Sequence, residues 1–130
     1  MRIKILIFCL MLLVSCVSLQ DFRARKVVMF PDYTGREVWQ VCINSLVDLW
    51  DCTITVSDAD AGLVQAHQAH GLGVVVFKWT IQVLESREGV NLNIHLERGA
   101  GFLSGGTSKK VEQFIKAVRE RLEEREKKKM

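Results

Sequence analysis

The chain has 130 residues, which is enough for one domain and too few for two of full size. Its hydrophobic fraction of 48% and charged fraction of 25% are those of a folded globular chain, which excludes disorder over most of the length. The 18 basic and 15 acidic residues leave a net charge of only +3, so no dense phosphate-neutralising face is expected and nucleic acid is not predicted as a partner.

The first fifteen residues have the pattern of a secretory leader. Arg2 and Lys4 form a short basic segment, and residues 5–14 are an uninterrupted apolar run. A helix of that length spans only about half of a hydrocarbon core, so a membrane-crossing helix is the poorer interpretation. We therefore predict a signal peptide over residues 1–15.

The apolar run closes on Leu13-Val14-Ser15-Cys16. This tetrapeptide resembles the lipobox of bacterial lipoproteins. The resemblance implies cleavage before Cys16, diacylation of its sulfur and acylation of the new amino terminus, and it implies no activity for the rest of the chain. The alternative is an ordinary cleaved signal with an incidental Cys16, but that needs a small-x-small site, which is not seen nearby.

The expected anchor also sets the expected location. Two or more acyl chains hold a protein stably on a membrane without a basic patch. Val17 and Ser18 follow the lipidated cysteine, and in enterobacterial lipoproteins the absence of Asp there favours export to the outer membrane. The sequence thus predicts a domain tethered in the cell envelope, facing the periplasm.

Composition divides the rest of the chain into three parts. We predict a lipid-anchored tether over residues 16–33, a folded domain over 34–122 and a charged tail over 123–130. Because the tail has no apolar stripe, we expect it to be a solvated and fraying helix end. Within the tether, residues 27–30 add at most a short edge strand, which Pro31 ends.

Two helices are predicted at the ends of the domain. The first begins at Thr34, which has capping-box spacing to Glu37. Its apolar face consists of Val38, Trp39, Cys42, Ile43, Leu46, Val47, Leu49 and Trp50. The second follows a Gly/Ser loop at 99–107, and its apolar stripe consists of Val111, Phe114, Ile115, Val118 and Leu122.

A period of two between the helices predicts four antiparallel strands. In the first, Ile54 and Val56 point to one side; a turn at 58–62 leads to a second strand over 63–70. The third covers 74–84 and the fourth 90–97. Their core-facing residues are Val75, Phe77, Trp79, Ile81, Val83, Val90, Leu92, Ile94 and Leu96.

This helix, strands, helix order predicts an α+β fold, a two-layer sandwich of about four antiparallel strands with both helices on one face. In order and size, and in the phrase Asp60-Ala61-Gly62-Leu63-Val64, it resembles small α+β domains of Gram-negative envelope lipoproteins of unknown function. It also loosely resembles the helix-grip domain of the lipoprotein in the outer-membrane β-barrel assembly machine. No functional residues carry over from these resemblances.

Cys42 and Cys52 are the cysteines left after the leader and the lipidated position are set aside. A disulfide is chemically permitted outside the cytoplasm. However, the rise between mid-helix and helix end is about 12 Å, which exceeds the reach of a bridge. Two buried thiols are expected, with the bridge left open as the alternative.

No cofactor and no metal site is predicted. His67 and His70 are three apart in a strand and point to opposite faces, so surface histidines are the better interpretation. Asp58-x-Asp60-x-Gly62 resembles the start of a calcium loop but lacks the later ligands, which favours a hairpin turn.

The Gly-rich loop partly matches the sequence patterns of two chemistries. Its glycines have phosphate-loop spacing, but Thr107 stands where that motif needs Lys, so at most a weak anion contact with Lys109 and Lys110 is expected. Ser104 lacks the nucleophile-elbow pattern, and no serine-hydrolase partner is identifiable. We therefore predict that the Gly-rich segment is a flexible loop.

Two function classes remain. The favoured one is a non-catalytic envelope lipoprotein that binds a protein or envelope polymer through the polar face of its sheet. The residues predicted to form that interaction face are Lys78, Thr80, Gln82, Asn91, Asn93, His95 and Glu97. The alternative is a small ligand-binding protein or enzyme that uses the loop at 99–108, with His67 or His95. The oligomeric state is left open, because an exposed strand edge also supports dimerisation by strand pairing.

Overall fold

The computed structural model describes residues 23–70, 74–98 and 107–129, which form one antiparallel sheet of five strands and two helices. The elements are β1 (Arg23–Phe30), α1 (Gly35–Trp50), β2 (Thr53–Asp58), β3 (Leu63–His70), β4 (Val74–Ser86), β5 (Gly89–Arg98) and α2 (Thr107–Lys129). The strands lie in the order β1-β5-β4-β3-β2. The α+β class is confirmed, but the sheet has five strands rather than four and a strand precedes the first helix.

The additional strand is β1, which lies within the segment predicted as a tether. It pairs with β5 through eight consecutive positions, from Arg23 opposite Glu97 to Phe30 opposite Val90. The sequence indicated only residues 27–30, because the charged residues before them hide the alternation. Only Ala24 and Phe30 of this strand are buried. Because so few of its positions face the core, the apolar pattern that would indicate a strand is weak.

Helix α1 is capped at both ends, and the cap at its start is the one that the sequence predicts. The Thr34 hydroxyl accepts the Glu37 amide at 3.2 Å, and the Glu37 carboxylate accepts the Thr34 amide at 3.4 Å, so the capping box is confirmed. A second carboxylate, that of Glu85 in β4, accepts the Gly35 amide at 2.7 Å. After Trp50, Asp51 adopts a left-handed conformation with φ of 51° and ends the helix.

The core lies between the two helices and one face of the sheet. Val75 was also predicted to face inward, but its side chain lies outside the described part of the structure. The other predicted inward residues of β4 and β5 and the predicted stripe of α2 are all buried: Phe77, Trp79, Ile81, Val83, Val90, Leu92, Ile94, Leu96, Val111, Phe114, Ile115, Val118 and Leu122. The rings of Trp79 and Phe114 are tilted by 46° with 5.1 Å between centroids, and the Trp50 ring lies 5.7 Å from that of Phe114. These three rings join the sheet to both helices.

The buried stripe of α1 is narrower than predicted. Leu46 is fully buried, but Leu49 is 51% exposed and Val47 is 44% exposed. The indole of Trp50 packs against Trp79 and fills the core position of the last turn. The prediction of Leu49 and Val47 as core residues is therefore wrong.

A second difference concerns β2. Ile54 lies opposite Ala66 on the core side, but the register shifts before Val56, which lies opposite Gln65 on the other face of the sheet. Val56 is consequently exposed, and its predicted placement beside Ile54 is wrong. An irregularity of this kind turns the following side chains to the opposite face.

The predicted charged tail is the last part of α2, which continues to Lys129. It is exposed but not isolated: the Lys129 ammonium lies 2.8 Å from the Glu37 carboxylate, and the Tyr33 hydroxyl donates to Glu126 at 3.1 Å. These contacts join the end of α2 to the start of α1. Within the described ranges, neither helix is long and apolar enough to cross a membrane.

Candidate functional site

The face of the sheet turned away from the helices, called the open face below, carries every residue of the predicted interaction face. These residues alternate along β4 and β5 with buried core residues, which places all of them on the opposite side: Lys78, Thr80, Gln82, Asn91, Asn93, His95 and Glu97. Alternation alone locates them, because successive side chains of a strand point to opposite faces. That they bind a partner remains a prediction.

The register arranges the open face into rows that cross the sheet. One row contains Arg25, His95, Thr80 and Gln65, in the strand order β1-β5-β4-β3. The next row contains Val27, Asn93, Gln82 and Leu63. Neighbouring side chains in such a row are close enough to act together on one bound group.

A depression of about 440 Å³ lies where these two rows cross β1, β5 and β4. It is lined by Arg25, Lys26, Val27, Thr80, Gln82, Asn93, Ile94 and His95. Sequence reasoning identified four of these residues and missed Arg25 and Val27, because both belong to the strand that the sequence mostly hid. The signal that could have found them is the period of two along residues 23–30, which places Arg25 and Val27 on the same face of the strand.

The lining of this depression has no carboxylate. Three other depressions in the described surface each contain at least two, among them Glu112 and Glu120 between β1 and α2, Asp60 and Glu85 near the start of α1, and Glu37 and Glu126 near its first turn. The open-face depression therefore differs from these three, because its charged lining residues are the cations Arg25 and Lys26 and none is an anion.

The charged residues along the edge of the depression differ in whether an opposite charge lies near them. Glu97 lies opposite both Arg23 and Lys78 in the register, and its carboxylate is 3.6 Å from Nε2 of His95. Arg25, by contrast, has no carboxylate oxygen within 4.0 Å of its guanidinium among the described residues. Its guanidinium offers its donors to solvent or to a ligand.

The two described histidine side chains do not form a pair. His67 lies opposite Lys78 and His95 lies opposite Thr80, so they occupy different rows on strands separated by β4. His70 ends β3, and its side chain lies outside the described part of the chain. Within that part, no group of three or more His, Cys, Asp or Glu residues is placed to hold a metal ion.

The acidic turn between β2 and β3 has a structural role. Oδ1 of Asp58 accepts the amides of Asp60 and Ala61, each at 3.1 Å, and the strands on either side pair antiparallel. The predicted hairpin turn is confirmed. Gly62 completes it with φ of 67°, and a Cβ there would clash with the Val83 carbonyl oxygen.

Cys42 and Cys52 are both free and buried, as expected from the sequence. Burial raises the pKa of the Cys42 thiol far above its ordinary value, and it raises that of Cys52 to about 11. The Lys110 ammonium opposes the rise at Cys52, but burial has the larger effect, so neither thiol has the lowered pKa of a reactive cysteine. They belong to the core.

Lys110, near the start of α2, is a half-buried lysine. The Lys110 ammonium lies 3.8 Å above the Phe77 ring and 3.4 Å from the Gln68 side-chain oxygen. Burial lowers its pKa. The adjoining residues 99–106, which include Ser104 and most of the Gly-rich loop, lie outside the described ranges; Thr107 begins α2 and is buried.

Comparison with known proteins adds no family to this description. No protein-family model matches the chain, and no curated protein matches its sequence.

Proposed function

We propose that this chain is a non-catalytic lipoprotein of the cell envelope, anchored through Cys16, whose domain binds a partner through the open face of its sheet. The observation that carries the binding role is the carboxylate-free depression beside the unpaired Arg25. A sheet covered by helices on one side presents such a face on a rigid support, which suits recognition of another molecule.

The anchor rests on the leader and on the lipobox-like sequence that ends at Cys16. Intact mass and membrane fractionation of the expressed chain test it, beside Cys16→Ser and the matched control Cys9→Ser, whose cysteine lies within the leader. We expect a cleaved, acylated, membrane-bound product from the wild type and from Cys9→Ser. Equal mass and fractionation of all three chains would refute the anchor.

The binding face is tested in intact cells by a photo-crosslinking amino acid at single exposed positions. We expect a discrete adduct from Gln82, at the centre of the open face, and none from Glu124 on the exposed side of α2. Asn93→Ala and His95→Ala are expected to reduce that adduct. An adduct of equal yield at both positions, or one that neither replacement reduces, would show that the open face is not the binding surface.

A further inference from the structure

The sheet has two edges, and they differ in their capacity to accept another strand. β2 has six residues, its register shifts after Ile54, and the hydroxyl of Thr55 is engaged with the Gln65 carbonyl at 3.1 Å. β1 has eight residues in unbroken register. Bulged, short edges resist strand addition, whereas long regular edges present a row of unpaired backbone groups. Of the two edges, β1 is the long and regular one.

Nothing in the described ranges pairs with the outer side of β1. It is the terminal strand of the sheet, and α2 reaches it from the core side, through Glu112 on Lys26 and Arg119 over the Phe30 ring. Half of its backbone N–H and C=O groups therefore point away from the sheet.

The open-face side chains of β1 change in character along the strand. Arg23 and Arg25 are exposed cations, and they are followed by Val27 and Met29, which are 67% and 42% exposed. A strand added at this edge would place its own alternate side chains directly beside these four. The complementary set is two carboxylates beside the arginines and two apolar groups beside Val27 and Met29.

We propose that β1 accepts an extended segment of a partner protein as a sixth strand, and that this segment carries carboxylates beside Arg23 and Arg25. The proposal rests on the proposed function, since it names the partner class for the β1 side of the open face. Backbone pairing would supply affinity, and the side chains would supply selectivity.

A second copy of this chain fits the edge poorly. β1 contains no Asp or Glu, so no self-pairing register places a carboxylate of one β1 beside Arg23 or Arg25 of the other. The like charges of Arg23, Arg25 and Lys26 disfavour such a pair. An acidic strand meets no such repulsion.

An acidic glycan fits less well than a peptide. The described strands place no Phe, Tyr or Trp on the open face, so a sugar ring would find no aromatic surface to stack on. The exposed Val27 and Met29 and the free backbone groups match an extended peptide instead.

The test uses the full-length chain as isolated from the membrane in zwitterionic detergent, whatever its N-terminus carries. The probe is the blocked peptide Thr-Val-Thr-Val-Thr-Glu-Thr-Glu-Thr with a neutral fluorophore, and binding is read by fluorescence anisotropy at low salt. A peptide with Gln for both Glu is the charge control. Two further peptides carry N-methyl groups on alternate residues, either the Thr set or the Val and Glu set.

We expect the acidic peptide to bind more tightly than its Gln control. Arg25→Gln should weaken the acidic peptide by roughly two- to fivefold, the range for one cross-strand charge pair, and leave the Gln peptide unchanged. Arg87→Gln, a matched loss of an exposed arginine in the β4–β5 turn, should change neither. One N-methyl peptide should lose binding and the other keep it, because a strand at an edge pairs through alternate amides.

Several results would overturn the proposal. Equal binding of the Glu and Gln peptides removes the charge selectivity, and equal binding of the two N-methyl peptides removes the strand pairing. Binding of oligogalacturonate with the same Arg25 dependence, without peptide binding, assigns the edge to a glycan. Self-association that Val27→Lys abolishes assigns it to a second copy. If any of these results overturns strand addition at β1 but the Gln82 adduct still forms, the proposed function stands without this inference.

Discussion

Two leucines of α1, three residues apart, provide a matched test of how the helix packs. Leu46 is fully buried and Leu49 is 51% exposed, although the sequence predicted both in one apolar stripe. Leu→Ala removes the same three carbon atoms at either position and changes helix propensity equally. The difference between the two substitutions therefore reports packing alone.

The expected magnitudes follow from burial. Removing three buried carbons costs about 2.4 kcal/mol of transfer free energy, and the cavity left behind adds to it, so Leu46→Ala should destabilise by about 3 kcal/mol. At Leu49 about half of the side chain is already in water and no closed cavity forms. Leu49→Ala should therefore cost about 1 kcal/mol or less.

Urea unfolding followed by tryptophan fluorescence measures both free energies, because Trp39, Trp50 and Trp79 all lie at or near the core. The urea midpoint should fall clearly for Leu46→Ala and little for Leu49→Ala, with similar slopes for both. Costs within about 0.5 kcal/mol of each other, the scatter typical of neutral surface changes, would refute the packing described for α1.

Three further outcomes are expected. Glu85→Ala should lower the free energy of unfolding by about 1 kcal/mol, because the first amide of α1 loses its carboxylate, whereas the turn variant Glu88→Ala should change it by about 0.5 kcal/mol or less; urea midpoints measure both. Cys52, with its pKa raised to about 11 by burial, should resist iodoacetamide at pH 8 in the native chain and react once unfolded, as mass spectrometry would show; rapid native labelling would contradict its burial. The pKa of Glu37 is lowered, first by the hydrogen bond from Lys129, so its stabilising contribution is present at neutral pH and is lost as the pH falls through that lowered pKa. Glu37→Gln should therefore reduce the stability difference between pH 7 and pH 3; an unchanged difference would show that this contact contributes nothing.

The strands that the sequence predicted well are those whose two faces meet different surroundings. β4 and β5 alternate strictly between core and open face, so their positions and the side of every predicted interaction residue followed from period alone. The predicted bounds of β3, residues 63–70, are also confirmed, and the turn at Asp58 marks where the strand begins.

The features that escaped depend on tertiary contacts. Most of β1 was hidden because Lys26 faces the helices yet pairs with Glu112, so a charged residue stands where alternation would place an apolar one. Val56 was misplaced because the period of β2 continues unchanged in sequence where the backbone shifts register. Arg25 was missed with its strand, and the candidate site was incomplete for that reason.

With the proposed anchor on Cys16, the early start of β1 would also limit how far the domain can stand from a membrane. The strand begins at Arg23, only seven peptide units beyond Cys16. Fully extended, those units span at most about 25 Å. With acyl chains on Cys16, the first residue of β1 could not leave a thin layer above the lipid headgroups, and its search for a partner would be nearly two-dimensional. Proteins held in or on the same leaflet would then meet this edge at a high effective concentration, and weak strand pairing would suffice to retain them.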